Sequence, residues 1–521
     1  MQPVLSPQDP ALARVRAVAI LILALAFAAY VGLTWHWPLT GDTQVMHYVT
    51  FLTDHGFAPY REIGDMNMPG AYLADRWALA LFGHSDLGWR LYDFALSILL
   101  GVGMVWIARS YDWLAGLTAA VLFALTHGAD GPPDAGQRDQ VIAVLLVLAC
   151  AALFESVRSK RAGWMSAFGF LSALAASIKP TFLPFAPLLF ACAALELMRH
   201  RVALKAYAVA AIGGFAAASL IVLAYLFQHH AAHPFYLLLT QTLPHYQALG
   251  ALSWGTILAH NLPLSVALFA TFGLIAACFV RPTLPAWEMT ALLLSAAIGE
   301  LSYLFQHKGF QQHRYMLLAF LLLWASIHLY AALSRRGTTR IAAIAALLAC
   351  AVYILPVDLS RVRSYPVRDA YTESLESDLT QLGVPRLQDN VQCFDIIDGC
   401  LTALFHLDIV QSTGATGDLL LFQPIPAPQV DHAREVYSRW AALHPPDVYV
   451  VSNLYFGQPQ RSFDRLLTWP DFAAALNAKY TLAKQREFGA QRTSNPGTNP
   501  NVPAYRIYVR KDSPLAAVPL Q

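Results

Sequence analysis

The chain has 521 residues, 56% of them hydrophobic and only 13% charged, with a mean hydropathy of +0.44. A water-soluble protein of this length would lack the charge to cover its surface, so the composition points to a membrane. With 35 Lys+Arg against 33 Asp+Glu the formal charge is +2, which excludes the broad basic field of a nucleic-acid binder.

Apolar runs of spanning length occur at about 11–33, 90–108, 113–128, 140–156, 164–178, 181–197, 206–227, 257–280, 288–305, 315–333 and 341–356. Basic residues mark alternate loops: Arg14 and Arg16, Arg109, Arg158 with Lys160 and Arg161, Arg199 with Arg201 and Lys205, Arg281, and Arg335 with Arg336 and Arg340. By the positive-inside rule the N-terminus is cytoplasmic, and an odd number of spans leaves everything after about 357 outside. The first run is too long for a cleavable signal peptide and lacks a small-residue cleavage site.

The first external loop, about 34–89, carries Gly41-Asp42-Thr43, Pro59-Tyr60-Arg61-Glu62 and Asp65-Met66-Asn67-Met68-Pro69-Gly70. Residues 43–52 suit an amphipathic helix with Asp42 at its start. Asp42 there is either part of a site or an N-cap. The second external loop holds Asp130, Asp134 and Gly136-Gln137-Arg138-Asp139. The third is almost absent, and its Lys179-Pro180 stands between two apolar runs, where the lysine either serves a site or snorkels to headgroups. The fourth, about 228–256, contains His229, His230, His233 and His245 in a spacing that is not a zinc pattern, so an interfacial re-entrant helix with substrate contact is expected. The fifth, 306–315, includes Lys308, His313 and Arg314, which fit a bound anion or a headgroup belt; positive charge outside favours the anion.

After about 357 apolar runs shorten to strand length. Strands are expected at 391–397, 448–451 and 505–509, helices near 366–382, 429–443 and 470–478, and a mobile loop at 489–503, together a small α/β domain. Cys393 and Cys400 lie in this oxidisable compartment and form either a disulfide or two buried thiols; Cys150, Cys192, Cys278 and Cys350 lie in apolar spans. Asp395, Asp398 and Asp408 read as solvated surface and caps.

Ionisable groups near a bilayer cost about 2.5–3.5 kcal/mol each, so their clustering on one face needs a reason. Carboxylates in two loops plus Arg138, Lys179, Lys308, His313 and Arg314 form an inventory for moving a group off a phosphate, acids acting as base and cations holding the departing charge. No phosphate loop, nucleophile elbow, zinc-protease helix or dinucleotide fingerprint is present, which leaves a nucleotide-driven pump unsupported.

In the order and side of Gly41-Asp42, Pro59-Tyr60-Arg61, Asn67-Met68-Pro69-Gly70, Gln137-Arg138-Asp139, Ile178-Lys179-Pro180 and Lys308 with His313-Arg314-Tyr315, the chain resembles the C-type glycosyltransferases, in the bacterial branch of protein mannosyltransferase-like and aminoarabinose transferase-like enzymes. The resemblance covers about 10–355 and extends in plan to the trailing domain. It implies a polytopic α-helical fold of about 11 transmembrane helices, with a membrane domain at 1–356 and an extracytoplasmic α/β domain at 357–521. It further implies a bacterial inner membrane location and transfer of sugar from a polyprenyl-phosphate donor to a hydroxyl of a lipid, glycan or protein acceptor. On this resemblance Asp42 is the catalytic base, Asp139 the second acid and Asp65 its reserve, with Tyr60 and Arg61 among the substrate contacts. Asp42 is followed by Thr43 where the family often has a Glu, and Met68 stands where many members have a second proline. Some relatives use a divalent cation near these acids; magnesium, manganese or calcium would suit Asp42 and Asp139, but no tight ligand motif is present. A transporter or flippase for an anionic lipid or sugar, and a polysaccharide polymerase or ligase, remain as alternatives. A transporter site belongs near the bilayer centre, whereas here the polar residues crowd one face.

Overall fold

The structure, a computed structural model, describes residues 10–280, 285–424, 426–455, 460–489 and 502–520. Arg281 and most of the 489–503 loop lie outside the described residues.

From the N-terminus, α1 (Pro10–Thr34) leads to two short helices, α2 (Asp42–Asp54) and α3 (Pro69–Phe82). Six longer helices then run up and down: α4 (Asp86–Ala108), α5 (Trp113–Asp130), α6 (Arg138–Ser159), α7 (Gly163–Ile178), α8 (Phe185–Arg199) and α9 (Leu204–Gln228). The short α10 (Ala232–Leu237), α11 (Leu243–Ala248) and α12 (Trp254–Ala259) precede α13 (Leu264–Phe279), α14 (Ala286–Gln306), α15 (Tyr315–Leu333) and α16 (Thr338–Arg363). Among the described residues eight helices are long and apolar enough to cross a membrane, and α7 and α13 are shorter apolar helices. All eleven expected runs are thus helical, but 257–280 is broken before Pro263, whose missing N–H and restricted predecessor end one helix and start the next. The apolar α15 is buried nearly all round, as the centre of a bundle requires.

The basic residues gather at one end of the bundle, where ion pairs tie the helix ends. Arg16 meets Asp112 at 2.5 Å, Arg109 meets Glu155 at 2.7 Å and Arg158 meets Glu288 at 2.6 Å. The opposite end carries α2, α3, α10, α11 and the C-terminal domain.

That domain contains α17 (Ala370–Leu382), α18 (Val384–Leu387), β1 (Val391–Phe394), α19 (Cys400–His406), α20 (Pro428–Leu443), β2 (Val448–Ser452), α21 (Pro470–Lys479), β3 (Tyr480–Glu487) and β4 (Ala504–Arg510). The sheet order is β1-β2-β4-β3, with β1 and β2 parallel and the other pairs antiparallel. Alternation along β2 sends Val448 and Val450 to one core and Tyr449 and Val451 to another. The first core is shared with the membrane half: Tyr48, Val49 and Leu52 of α2 pack in it with Leu375, Leu401 and Leu404.

This shared core corrects the amphipathic reading of α2. The helix exists, but residues 43–44 and 46–53 are all buried, because the C-terminal domain covers the face that an interfacial helix would turn to water. The polar groups on that face dock it. Gln44 Nε2 donates to the Ile397 carbonyl at 2.6 Å, the Thr402 hydroxyl donates to Gln44 Oε1 at 2.5 Å, and the Tyr48 hydroxyl donates to the Ile409 carbonyl at 2.9 Å.

Candidate active site

Between the bundle end and the C-terminal domain lies a cavity of about 1170 Å³ lined by Asp42, Asp65, Asp134, Arg138, Lys179 and His313, among others. Asp42 reaches it because of its neighbour. Gly41 has φ +72°, and a Cβ there would stand 2.4 Å from the Pro133 carbonyl oxygen, so only glycine lets the start of α2 press against the 132–134 turn. Gly41 is the residue that caps α2, and the Asp42 carboxylate makes no capping hydrogen bond. Its side chain is 32% exposed, all of it deep in the protein, and desolvation raises its pKa above the usual carboxylate value against the pull of Arg138.

Charges alternate away from it. Asp42 Oδ2 lies 3.7 Å from Arg138 Nη2, Arg138 Nε lies 3.9 Å from Asp139 Oδ2, and Lys179 Nζ donates to Asp139 Oδ1 at 2.5 Å. Lys179 caps α7 in an extended conformation that turns its side chain inward, and it is only 8% exposed, so it does not snorkel to headgroups. Desolvation pulls its pKa down, countered by Asp139. Asp139 sits behind the cavity wall and holds these two cations in place.

The remaining residues divide. Asp65 accepts from the Tyr72 hydroxyl and from Asn67 Nδ2 at 2.8 Å, and the Tyr60 hydroxyl donates to the Asn67 carbonyl at 2.8 Å, so these four residues brace the loop wall. Arg61 is half-exposed and pairs with its neighbour Glu62 at 2.8 Å. Lys308 lines the cavity but spends its three donors on the carbonyls of Tyr246 (3.0 Å), Gln247 (3.3 Å) and Leu249, which ties α11 over the opening. Burial brings its pKa down to about 8. His313 is 5% exposed with Nδ1 unpartnered at the cavity edge. Arg314 lies behind the wall, donating to Asp130 Oδ1 at 2.7 Å and to the His260 carbonyl at 2.9 Å.

Asp134, noted in the second loop but given no role there, proves part of the site. It lines the cavity at 3% exposure, with one carboxylate oxygen unpartnered, and desolvation, then the neighbouring Asp130 charge, push its pKa well above the ordinary value. Its signal was the Pro132-Pro133 pair, which fixes a tight turn just before it.

The structure joins Cys393 to Cys400 by a disulfide that closes the loop presenting Ile396 and Ile397 to the cavity. Inside that loop Asp395 is buried, corrected from a solvated residue. It accepts from the Asp398, Gly399 and Cys400 amides at 2.7, 3.0 and 2.8 Å, and burial beside Asp398 raises its pKa to about 7. Asp398 is likewise no surface group, held by Arg461 at 2.5 and 2.8 Å.

Asp42 and Asp139 do not fit a divalent cation as the resemblance allows: the Arg138 guanidinium lies within 4 Å of both acids, and Lys179 already pairs with Asp139. Among the described residues no group of three His, Cys, Asp or Glu could hold a metal ion. The arrangement offers a carboxylate open to the cavity beside fixed cations, which suits proton acceptance next to a developing phosphate charge.

The fold is shared, at low sequence identity, with solved membrane-protein structures. ArnT from Cupriavidus metallidurans bound to undecaprenyl phosphate is similar over 95% of this chain and 98% of its own, with a TM-score of 0.56 and 14% identity. The archaeal oligosaccharyltransferase AglB from Archaeoglobus fulgidus, in complex with an inhibitory peptide and a dolichol-phosphate, is similar over 97% of this chain and 75% of its own, with a TM-score of 0.52 and 13% identity. No family model matches the chain, and no curated protein sequence matches it.

Proposed function

We propose that this protein transfers a sugar from a polyprenyl-phosphate donor to an acceptor hydroxyl, on the extracytoplasmic face of a bacterial inner membrane. The observation that carries the reading is Asp42, a carboxylate open to the cavity, raised in pKa and 3.7 Å from the Arg138 guanidinium. The shared fold supports it, since the similar ArnT and AglB structures hold undecaprenyl phosphate and dolichol-phosphate.

In this reading the acceptor oxygen attacks the anomeric carbon as its proton passes to Asp42. The bond from that carbon to the phosphate oxygen breaks with inversion, and the electron pair leaves on the polyprenyl phosphate. Arg138 and Lys179 face the departing charge, an attraction that grows toward the transition state. Asp139 positions both cations, Lys308 holds the 243–249 segment over the donor, and no step uses a metal.

The test is transfer of radiolabelled sugar from polyprenyl-phosphate donors by purified wild type and Asp42→Asn, with donor binding followed in parallel. Transfer by wild type alone, with binding kept by both, is the expected result. Binding without transfer by either protein, across donors and acceptors, would favour the transporter.

A further inference from the structure

The cavity has two walls of opposite chemistry. All eight Asp, Glu, Lys and Arg side chains that line it come from the membrane half, from Asp42 to Lys308. The C-terminal domain contributes none among its described lining residues. It presents Ile396, Ile397, Leu419, Leu420 and Leu421 as an aliphatic patch, with Thr416 beside it and the polar Gln429 and His432 further along. The Thr416 hydroxyl is 1% exposed and without a hydrogen-bond partner among the described residues, although it stands at the cavity wall. A buried hydroxyl left unpaired is destabilising, and a bound polar group would relieve it. The wall is held at fixed height over the charged floor, because Gly64 N donates to the Gly414 carbonyl at 3.1 Å and a Cβ at Gly414 would stand 2.0 Å from the Glu62 carbonyl oxygen.

A phosphate or carboxylate lying against the 419–421 leucines would lose water without gaining a charged partner from them. An uncharged hydrocarbon chain would gain in proportion to the apolar area it covers. Resting on the glycosyl-transfer reading above, we infer that the acceptor is an uncharged amphiphile: its hydroxyl head reaches Asp42 past Thr416, and its hydrocarbon lies on the 419–421 leucines. The charged floor is left to the donor. The acceptor O–H bond breaks toward Asp42, the new glycosidic bond forms on that oxygen, and the phosphate leaves with the donor lipid, so the uncharged acceptor stays uncharged.

The experiment uses the full chain in detergent with a labelled polyprenyl-phosphate sugar and four acceptors. These are a long-chain alkyl glycoside, the same glycoside carrying a phosphate ester, a soluble trisaccharide and a serine-containing peptide. Release of free sugar to water is measured alongside. The alkyl glycoside should be used at least tenfold better in kcat/KM than any of the other three. Leu420→Asp should raise the KM for the alkyl glycoside about tenfold, and the milder Thr416→Val about threefold, both with unchanged release of sugar to water. Equal or better use of the phosphorylated glycoside, the trisaccharide or the peptide would overturn the inference while sugar release kept the glycosyl-transfer reading standing. Absence of both release and transfer with every donor would overturn that reading and this inference with it.

Discussion

The floor and roof of the cavity are built on different principles. The floor is a string of buried charges, Asp42, Arg138, Asp139 and Lys179, each held by the next. The roof is an aliphatic wall held by backbone contacts and a disulfide. Buried charge is expensive unless paired, so the floor tolerates little change, whereas the roof can alter what it accepts at small cost in folding. In the proposed reading, chemistry falls to the half that carries the charged floor and acceptor recognition to the half that carries the roof. The α2 helix belongs to both, with Asp42 facing the cavity and Gln44 hydrogen-bonded to the roof.

If the division is real, the largest effect comes from the floor. Asp42→Asn should lower transfer by about 10³-fold, within the range for loss of a general base, while donor binding is retained. Wild-type turnover should fall as pH drops through the Asp42 pKa. That pKa lies above the ordinary carboxylate value, so the fall begins at a higher pH than an exposed aspartate would give. Lys179→Met comes next, lowering transfer by about 10²-fold. It also leaves buried Asp139 with only the long 3.9 Å contact to Arg138, a cost approaching the ~3–5 kcal/mol of a broken buried pair. Adding Asp139→Leu should restore thermal stability but not transfer, which separates holding the fold from holding the phosphate. Recovery of both would make Lys179 purely structural.

The roof should respond in stability before activity. Cys393→Ser, read by thermal unfolding, should cost about 2 kcal/mol, the chain-entropy value for so short a loop. Smaller still is a pH effect at the seam between the halves. His406 of α19 meets Glu376 at 2.7 Å and Asp86 at 3.2 Å. Burial opposes its charge, but the two carboxylates outweigh it and raise its pKa to about 9. Raised above the unfolded value of about 6.5, this group stabilises fully below that pH, and its contribution is lost as pH rises through about 9. His406→Gln should flatten the melting temperature between those limits; an unchanged slope would place the pH sensitivity elsewhere.

The two walls also differ in how far the sequence disclosed them. Charges embedded in apolar sequence stand out because so few are tolerated there, and Asp42, Arg138 and Lys179 were visible on that ground. The roof was not, since leucines, alanines and threonines at 413–421 look the same whether they fill a core or line a cavity. Asp395 and Asp398 misled for the complementary reason: only the fold reveals the amides and the arginine that receive them. The strand β3 was missed because it is an edge strand carrying Lys484, Arg486 and Glu487, charges that discourage aggregation and hide the alternation that marks a strand. The overall helical plan was legible, apart from the break that Pro263 makes in one span.

The smallest expected effect tests the floor most sharply. Treating purified protein with a chelator such as EDTA should leave transfer unchanged, and added magnesium, manganese or calcium should not raise it. A divalent cation between Asp42 and Asp139 would sit against the Arg138 guanidinium and the Lys179 ammonium, and the repulsion would offset what the two carboxylates contribute. The cations already supply the positive charge that a metal would bring, from side chains fixed before the donor arrives. Chelator-sensitive transfer, restored by one ion, would mean that Lys179 releases Asp139 on donor binding, and the floor would then be a switch instead of a fixed string.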